Sequence, residues 1–168
     1  MELSLKSATL ILTILFTGMS AGLCFIWSNT IAPGIGKLND IGFLQSFKEM
    51  NRTILNPLFF VVFFSPFLLN LLNLYLFKNV SNTLTWLLIM VTVCYFFGVV
   101  FITIFGNVPL NEMLDKTDLA SSSIEELKHL REKFEVKWNR FHLIRTLASI
   151  ISFLLLILSL IQSSKSNI

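Results

Sequence analysis

Charge is scarce in this chain: only 14% of its 168 residues are Asp, Glu, Lys or Arg, against about 25% in a typical soluble domain. Hydrophobic residues make up 54% of the sequence and the mean hydropathy is +0.74. A chain this short keeps much of its surface exposed when folded, so one core cannot hide that excess. Lipid must be the solvent over much of its length, which excludes a soluble enzyme and a disordered chain. Cysteine is nearly absent as well. Cys24 and Cys94 lie inside apolar runs, where thiols act as small buried hydrophobes, and a disulfide-built secreted domain is excluded. The sequence also lacks a Gly-rich phosphate loop after a strand, a Cys-x-x-Cys pair and a nucleophile elbow. With no carboxylate inside an apolar run and few ligands close together, no metal site is expected. The net charge of +3 is what basic loops on a membrane protein produce, and no nucleic-acid partner is expected.

Four apolar segments, at about 7–31, 54–77, 82–105 and 141–161, each reach the roughly 20 residues that a helix needs to cross the hydrocarbon layer. The first is too long for a signal-peptide core and no small-x-small cleavage site follows it, so it reads as a retained anchor. The expected fold is an all-α membrane protein, a four-transmembrane-helix bundle forming a single domain over 1–168. The lipid bilayer is its first partner, and whether it self-associates stays open. Four spans place both termini and the turn Lys78–Asn82 on one side, with the connections at about 32–53 and 106–140 on the other. Lys and Arg favour the second side, which the positive-inside rule assigns to the cytoplasm.

Local signals refine this picture. Gly18 and Gly22 form a small-xxx-small pair that invites close helix approach, and Pro66 in span two should kink that helix. Asn70 and Asn73 share one face of span two and can hydrogen-bond a neighbouring helix. Gly106 is expected to end span three, with Pro109 in the first turn of a short interfacial helix and Asn107 or Val108 near its cap. Ser122 with Glu125, or Ser123 with Glu126, makes a capping box. No Pro or Gly follows, so span four reads as the membrane half of one long helix of roughly 39 residues, about 58 Å at 1.5 Å per residue. Its charged extramembrane half, about 123–140, carries Leu127, Leu130 and Phe134 as a stripe for packing on loop 1.

The informative polar groups gather on the loop side. Trp138, His142 and Arg145 stand at i, i+4 and i+7, on one helix face that Ser149 and Ser152 continue. Arg145 is the one strongly basic group inside a span, and a charge there should face protein or a water-filled cavity. Loop 1 and the mouth of span two offer Gln45, Asn51, Arg52 and Asn56; the exit of span three offers Asn107 and Asn111. Plainer roles exist for several of these. Trp138 also suits an interfacial aromatic belt, Arg145 can snorkel to lipid phosphates, and Asn56 before Pro57 can cap a helix.

Three elements together resemble the anthrone-oxygenase-like family of small four-span membrane proteins. They are Gly106-Asn107-Val108-Pro109-Leu110-Asn111 after span three, Trp138-Asn139-Arg140-Phe141-His142-Leu143-Ile144-Arg145 opening span four, and Asn51…Asn56-Pro57 opening span two. Phe25-x-Trp27 followed by Pro33-Gly34 fits as well. The resemblance implies oxidation of an apolar, fused-ring phenolic ketone by molecular oxygen, without a bound cofactor, by a multi-pass protein of a bacterial inner (plasma) membrane. His142 would then be the general base, because imidazole titrates near neutral pH, and Arg145 would stabilise the enolate-type oxyanion. Asn56, Asn107 and Asn111 would hydrogen-bond substrate oxygens, with Asn51 and Gln45 nearby and Trp138 and Trp27 as aromatic walls. A non-enzymatic reading competes with it: a membrane scaffold or accessory subunit presenting the charged helix to a partner.

Overall fold

The computed structural model describes residues 4–166, and among these every regular element is helical. Helix α1 spans Leu5–Ile26, α2 Ala32–Ile35, α3 Asp40–Ile54, α4 Pro57–Phe77, α5 Asn82–Tyr95, α6 Val108–Lys116 and α7 Ile124–Ser166. Short π-helical segments join α1 to α2 and α5 to α6. Four continuous helices are therefore long and apolar enough to cross a membrane: Leu5–Ile35, Pro57–Phe77, Asn82–Lys116 and Ile124–Lys165. The protein is an integral membrane protein built as an all-α bundle, with a long loop-side extension of its fourth spanning helix.

The helix starts follow local chemistry. Asn56 caps α4, its Oδ1 accepting from the Phe59 N–H at 3.0 Å, with Pro57 in the first turn, where its missing N–H has no consequence. Ser123 and Glu126 form the capping box of α7: the Ser123 N–H donates to Glu126 Oε2 at 2.8 Å, and the Glu126 N–H to Ser123 Oγ at 3.3 Å. From there α7 runs 43 residues without a break, about 65 Å at 1.5 Å per residue.

Two boundaries differ from expectation for one physical reason. The first spanning helix continues past residue 31 to Ile35, and the third passes Gly106 to reach Lys116. A proline lies just inside each continuation, Pro33 and Pro109, each preceded by a π-helical segment, Trp27–Ile31 and Thr103–Asn107. Proline lacks an N–H and crowds the carbonyl four residues back; a widened i+5 turn gives that carbonyl room. Asn107 holds the N-cap position of α6, yet its side chain makes no cap bond. Pro66 lies inside α4 without ending it.

The bundle is up-down-up-down, with α4 and α7 each packed between α1 and α5. Between lipid-bathed helices the attraction comes from close packing and buried hydrogen bonds. Gly98 lies against the Cβ of Ala148 with no room for a methyl, and Gly18 faces the Phe153 ring, 3.0 Å from where a Cβ would sit. Gly22 faces open space instead, so the expected glycine pair is a single contact. Asn70 donates to the Leu88 carbonyl and to Thr92 Oγ1, and Asn73 to Thr13 Oγ1, at 2.8–2.9 Å. The Tyr95 hydroxyl donates to the Phe63 carbonyl at 2.9 Å and meets Ser20 Oγ at 3.0 Å, joining α5, α4 and α1.

A second layer closes the loop side. Phe43, Leu44 and Phe47 of α3, Leu114 of α6, and Leu127, Phe134 and Trp138 of α7 form one buried cluster, with Leu130 packed on it. The stripe on the extramembrane half of α7 thus packs on loop 1 as expected. Arg131 fastens this layer: it donates to the Gly36 and Leu38 carbonyls at 2.8 Å, to Asp40 at 3.1 Å and to Glu135 at 3.0 Å. Its guanidinium also covers the Phe43 ring.

Candidate functional site

The helical spacing of Trp138, His142 and Arg145 becomes physical contact. The Trp138 and His142 rings stack, with centroids 4.8 Å apart and planes 15° from parallel. The Arg145 guanidinium lies 5.0 Å from the Trp138 ring centroid and donates through Nε to His142 Nδ1 at 3.0 Å. Because Nδ1 accepts, the ring proton sits on Nε2, which donates to the Cys24 carbonyl at 3.0 Å. His142 is thus held between a guanidinium and a carbonyl, and Thr146 Oγ1 lies 3.3 Å from Nε2.

Arg145 is less fully satisfied. Its Nη1 donates to Thr103 Oγ1 at 3.4 Å. Among the described residues no hydrogen bond reaches Nη2, and no carboxylate forms an ion pair with this guanidinium. A cation so placed in a membrane bundle lacks the partner that charges at such depth ordinarily have.

The guanidinium lines a cavity of about 580 Å³ between the loop-side ends of the helices, within the range of small-molecule sites. Trp27, Trp138, His142 and Arg145 share its wall. Trp27 packs on Trp138 with ring centroids 5.1 Å apart, and its indole N–H is buried without a partner. Several lining side chains, among them Ile54, Leu55, Phe60 and Ile104, are also exposed on the outside of the bundle. The cavity therefore opens sideways, toward lipid. His142 borders a second recess of about 560 Å³ as well, lined by polar groups that include Lys37, Glu135 and Asn139.

Of the asparagines, Asn51, Asn56 and Asn111 line the cavity, but their side chains are largely committed to the protein. Asn111 donates to Asn51 Oδ1 at 2.8 Å and accepts from Trp138 Nε1 at 2.8 Å, so this chain of carboxamides fixes the indole on which His142 stacks. Asn56 caps α4 and donates to the Thr53 carbonyl at 3.1 Å. Asn107 is fully buried and donates to the Trp138 carbonyl at 3.2 Å; its Oδ1 has no partner, and it does not line the cavity. Gln45 is exposed on α3, away from the cavity.

Sequence reading overlooked three contributors. Thr103 is the one hydroxyl in the run from Phe96 to Phe105, a signal that was available. Cys24 acts through its backbone carbonyl, which no side-chain pattern announces. Phe47 touches Trp27 and Trp138 edge-on, with centroids 5.0 and 4.8 Å away, and only the docking of α3 brings it there. Among the described residues no three His, Cys, Asp or Glu side chains gather as a metal site would require.

Compared with known families, residues 57–155 match the family described as anthrone oxygenase, more than half of the chain. Searches of curated proteins and of solved structures returned no match. The matched stretch holds Thr103, Asn107, Asn111, Trp138, His142 and Arg145; Trp27 and Asn51 precede it.

Proposed function

This chain belongs to the anthrone oxygenase family, and from that membership we propose that it oxidises an apolar, fused-ring phenolic ketone with molecular oxygen and no bound cofactor. The observation that carries the reading is Arg145, a guanidinium with a free Nη2 and no counter-carboxylate beside a cavity with aromatic walls. Such a group waits for an oxyanion, and a low-dielectric site makes its stabilisation strong.

The chemistry follows from that placement. The substrate enters from lipid and sets its ketone oxygen against Arg145. As the guanidinium turns from His142 Nδ1 to the substrate oxygen, the Nδ1 lone pair is freed to take a proton from the acidic ring methylene. The enolate then passes one electron to dioxygen, and the radical pair joins into a carbon–oxygen bond. The resulting peroxide takes the proton back from His142. The O–O bond breaks as the remaining hydrogen leaves that carbon, giving a new carbonyl and one water. In sum, one CH2 and one O2 become one C=O and one H2O. Arg145 holds charge, His142 moves the proton, and Asn111 and Asn51 act as positioning residues through Trp138.

An oxygen-uptake assay of purified protein with an anthrone-type probe under ¹⁸O₂ tests this reading. One O₂ consumed per probe is expected, with label in the new carbonyl and rates unchanged by chelator. Uptake no faster than the spontaneous reaction, or turnover lost on chelation, overturns it.

A further inference from the structure

The cavity poses a problem whenever substrate is absent. Burying an unpaired cation in or beside the hydrocarbon is unfavourable, and a buried donor without an acceptor adds to that cost. Both conditions meet around Trp138. Arg145 Nη2 and Trp27 Nε1 lack acceptors, and each residue packs on Trp138, at 5.0 and 5.1 Å from its ring centroid. The remaining wall is mainly aliphatic and aromatic, its one carboxylate, Glu49, is paired with Arg52 at 2.9 Å, and it reaches the surface at Ile54, Leu55 and Phe60.

We propose that the substrate-free protein holds a free fatty acid in this cavity, its carboxylate on Arg145 and its chain along the apolar wall toward the bilayer. A carboxylate brings one negative charge and two acceptor oxygens in a single small group. It therefore satisfies the guanidinium through a charge-assisted bond to Arg145. The single chain fills apolar volume that a small inorganic anion leaves empty and passes the sideways opening without a second chain or a bulky head. The bilayer supplies such amphiphiles. Occupancy of this kind goes beyond the oxidative reading, needs no turnover, and makes the fatty acid a competitor that any substrate must displace.

The test uses full-length protein in nanodiscs of phosphatidylcholine. Binding of ¹³C-carboxyl palmitate is followed by carbon NMR of the bound signal and by its stoichiometry. One palmitate per protein is expected, with methyl palmitate binding about tenfold or more weaker and Arg145→Met losing about tenfold or more in affinity. The ester comparison is made on the unaltered protein, so misfolding of a variant cannot decide the outcome. Equal binding of acid and ester overturns the proposal. Displacement of palmitate by chloride, or by replacing phosphatidylcholine with phosphatidylglycerol, also overturns it, because the site would then belong to an inorganic anion or a lipid phosphate. Loss of oxygen uptake in an assay that still shows palmitate binding counts against the oxidative reading alone.

Discussion

Arg145 donates through Nε to Nδ1 of His142 at 3.0 Å, so the cation and the ring form one unit. While that bond stands, the ring has no lone pair to offer; when the guanidinium moves to a substrate oxygen, Nδ1 becomes a base in the same step. His142→Ala should therefore reduce kcat/KM by about 100-fold or more, in line with removal of a general base. Arg145→Lys should also reduce it, because an ammonium lacks the planar fork that meets an oxyanion with two fixed donors. Steady-state kinetics on both variants, with circular dichroism to confirm folding, checks this. Unchanged turnover in His142→Ala would remove the ring from the chemistry.

Trp27 carries a buried indole N–H without an acceptor. Trp27→Phe should leave substrate binding unchanged and thermal stability equal or slightly higher, because an unsatisfied buried donor is gone. An unchanged KM without a fall in Tm is the expected pattern. A large fall in Tm would mean that the indole is structural.

Close packing makes opposite predictions for two glycines. Gly98 abuts the Ala148 Cβ, whereas Gly22 has nothing within 4 Å of where a Cβ would be. Gly98→Ala should destabilise by about 1–3 kcal/mol through overpacking. Gly22→Ala should be neutral or stabilise by about 0.5–1 kcal/mol through helix entropy. Thermal unfolding in detergent separates the two.

Arg131 ties α7 to the turn before α3 through Gly36 and Leu38 and to the first residue of α3 through Asp40, with only 16% of its side chain exposed. Arg131→Ala should cost about 2 kcal/mol and open residues 36–40 to protease. Lys128 and Glu132 stand exposed on the same helix. Reversing their charges should change stability by no more than about 0.5 kcal/mol and leave turnover intact. Loss of function from those reversals, with a tolerant His142, would favour the scaffold reading.

Much of the architecture was legible because it rests on periodicity. Four apolar runs, the Ser123–Glu126 box and the i, i+4, i+7 face of Trp138, His142 and Arg145 all appear in the folded chain where spacing puts them. The continuations past residue 31 and past Gly106 were not legible, because nothing in composition announces the π-helical turns that carry the chain on to Pro33 and Pro109. The carboxamides were legible as a group but not as individuals. Asn111 and Asn51 pair across 60 positions of sequence, Asn107 turns to the Trp138 carbonyl, and Gln45 points away. Those outcomes depend on how α3 and α6 dock, which is tertiary information. The unpaired indole of Trp27 was hidden for the same reason.

The most direct test of the central claim is an absorbance titration of a phenolic or enolisable ketone probe, bound to purified protein in the absence of oxygen. If Arg145 receives an oxyanion, the bound probe shows the red-shifted spectrum of its anion at a pH where the free probe is neutral. The shift then disappears in Arg145→Met. A bound probe that keeps its neutral spectrum, or an anion spectrum that survives loss of the guanidinium, would contradict the account.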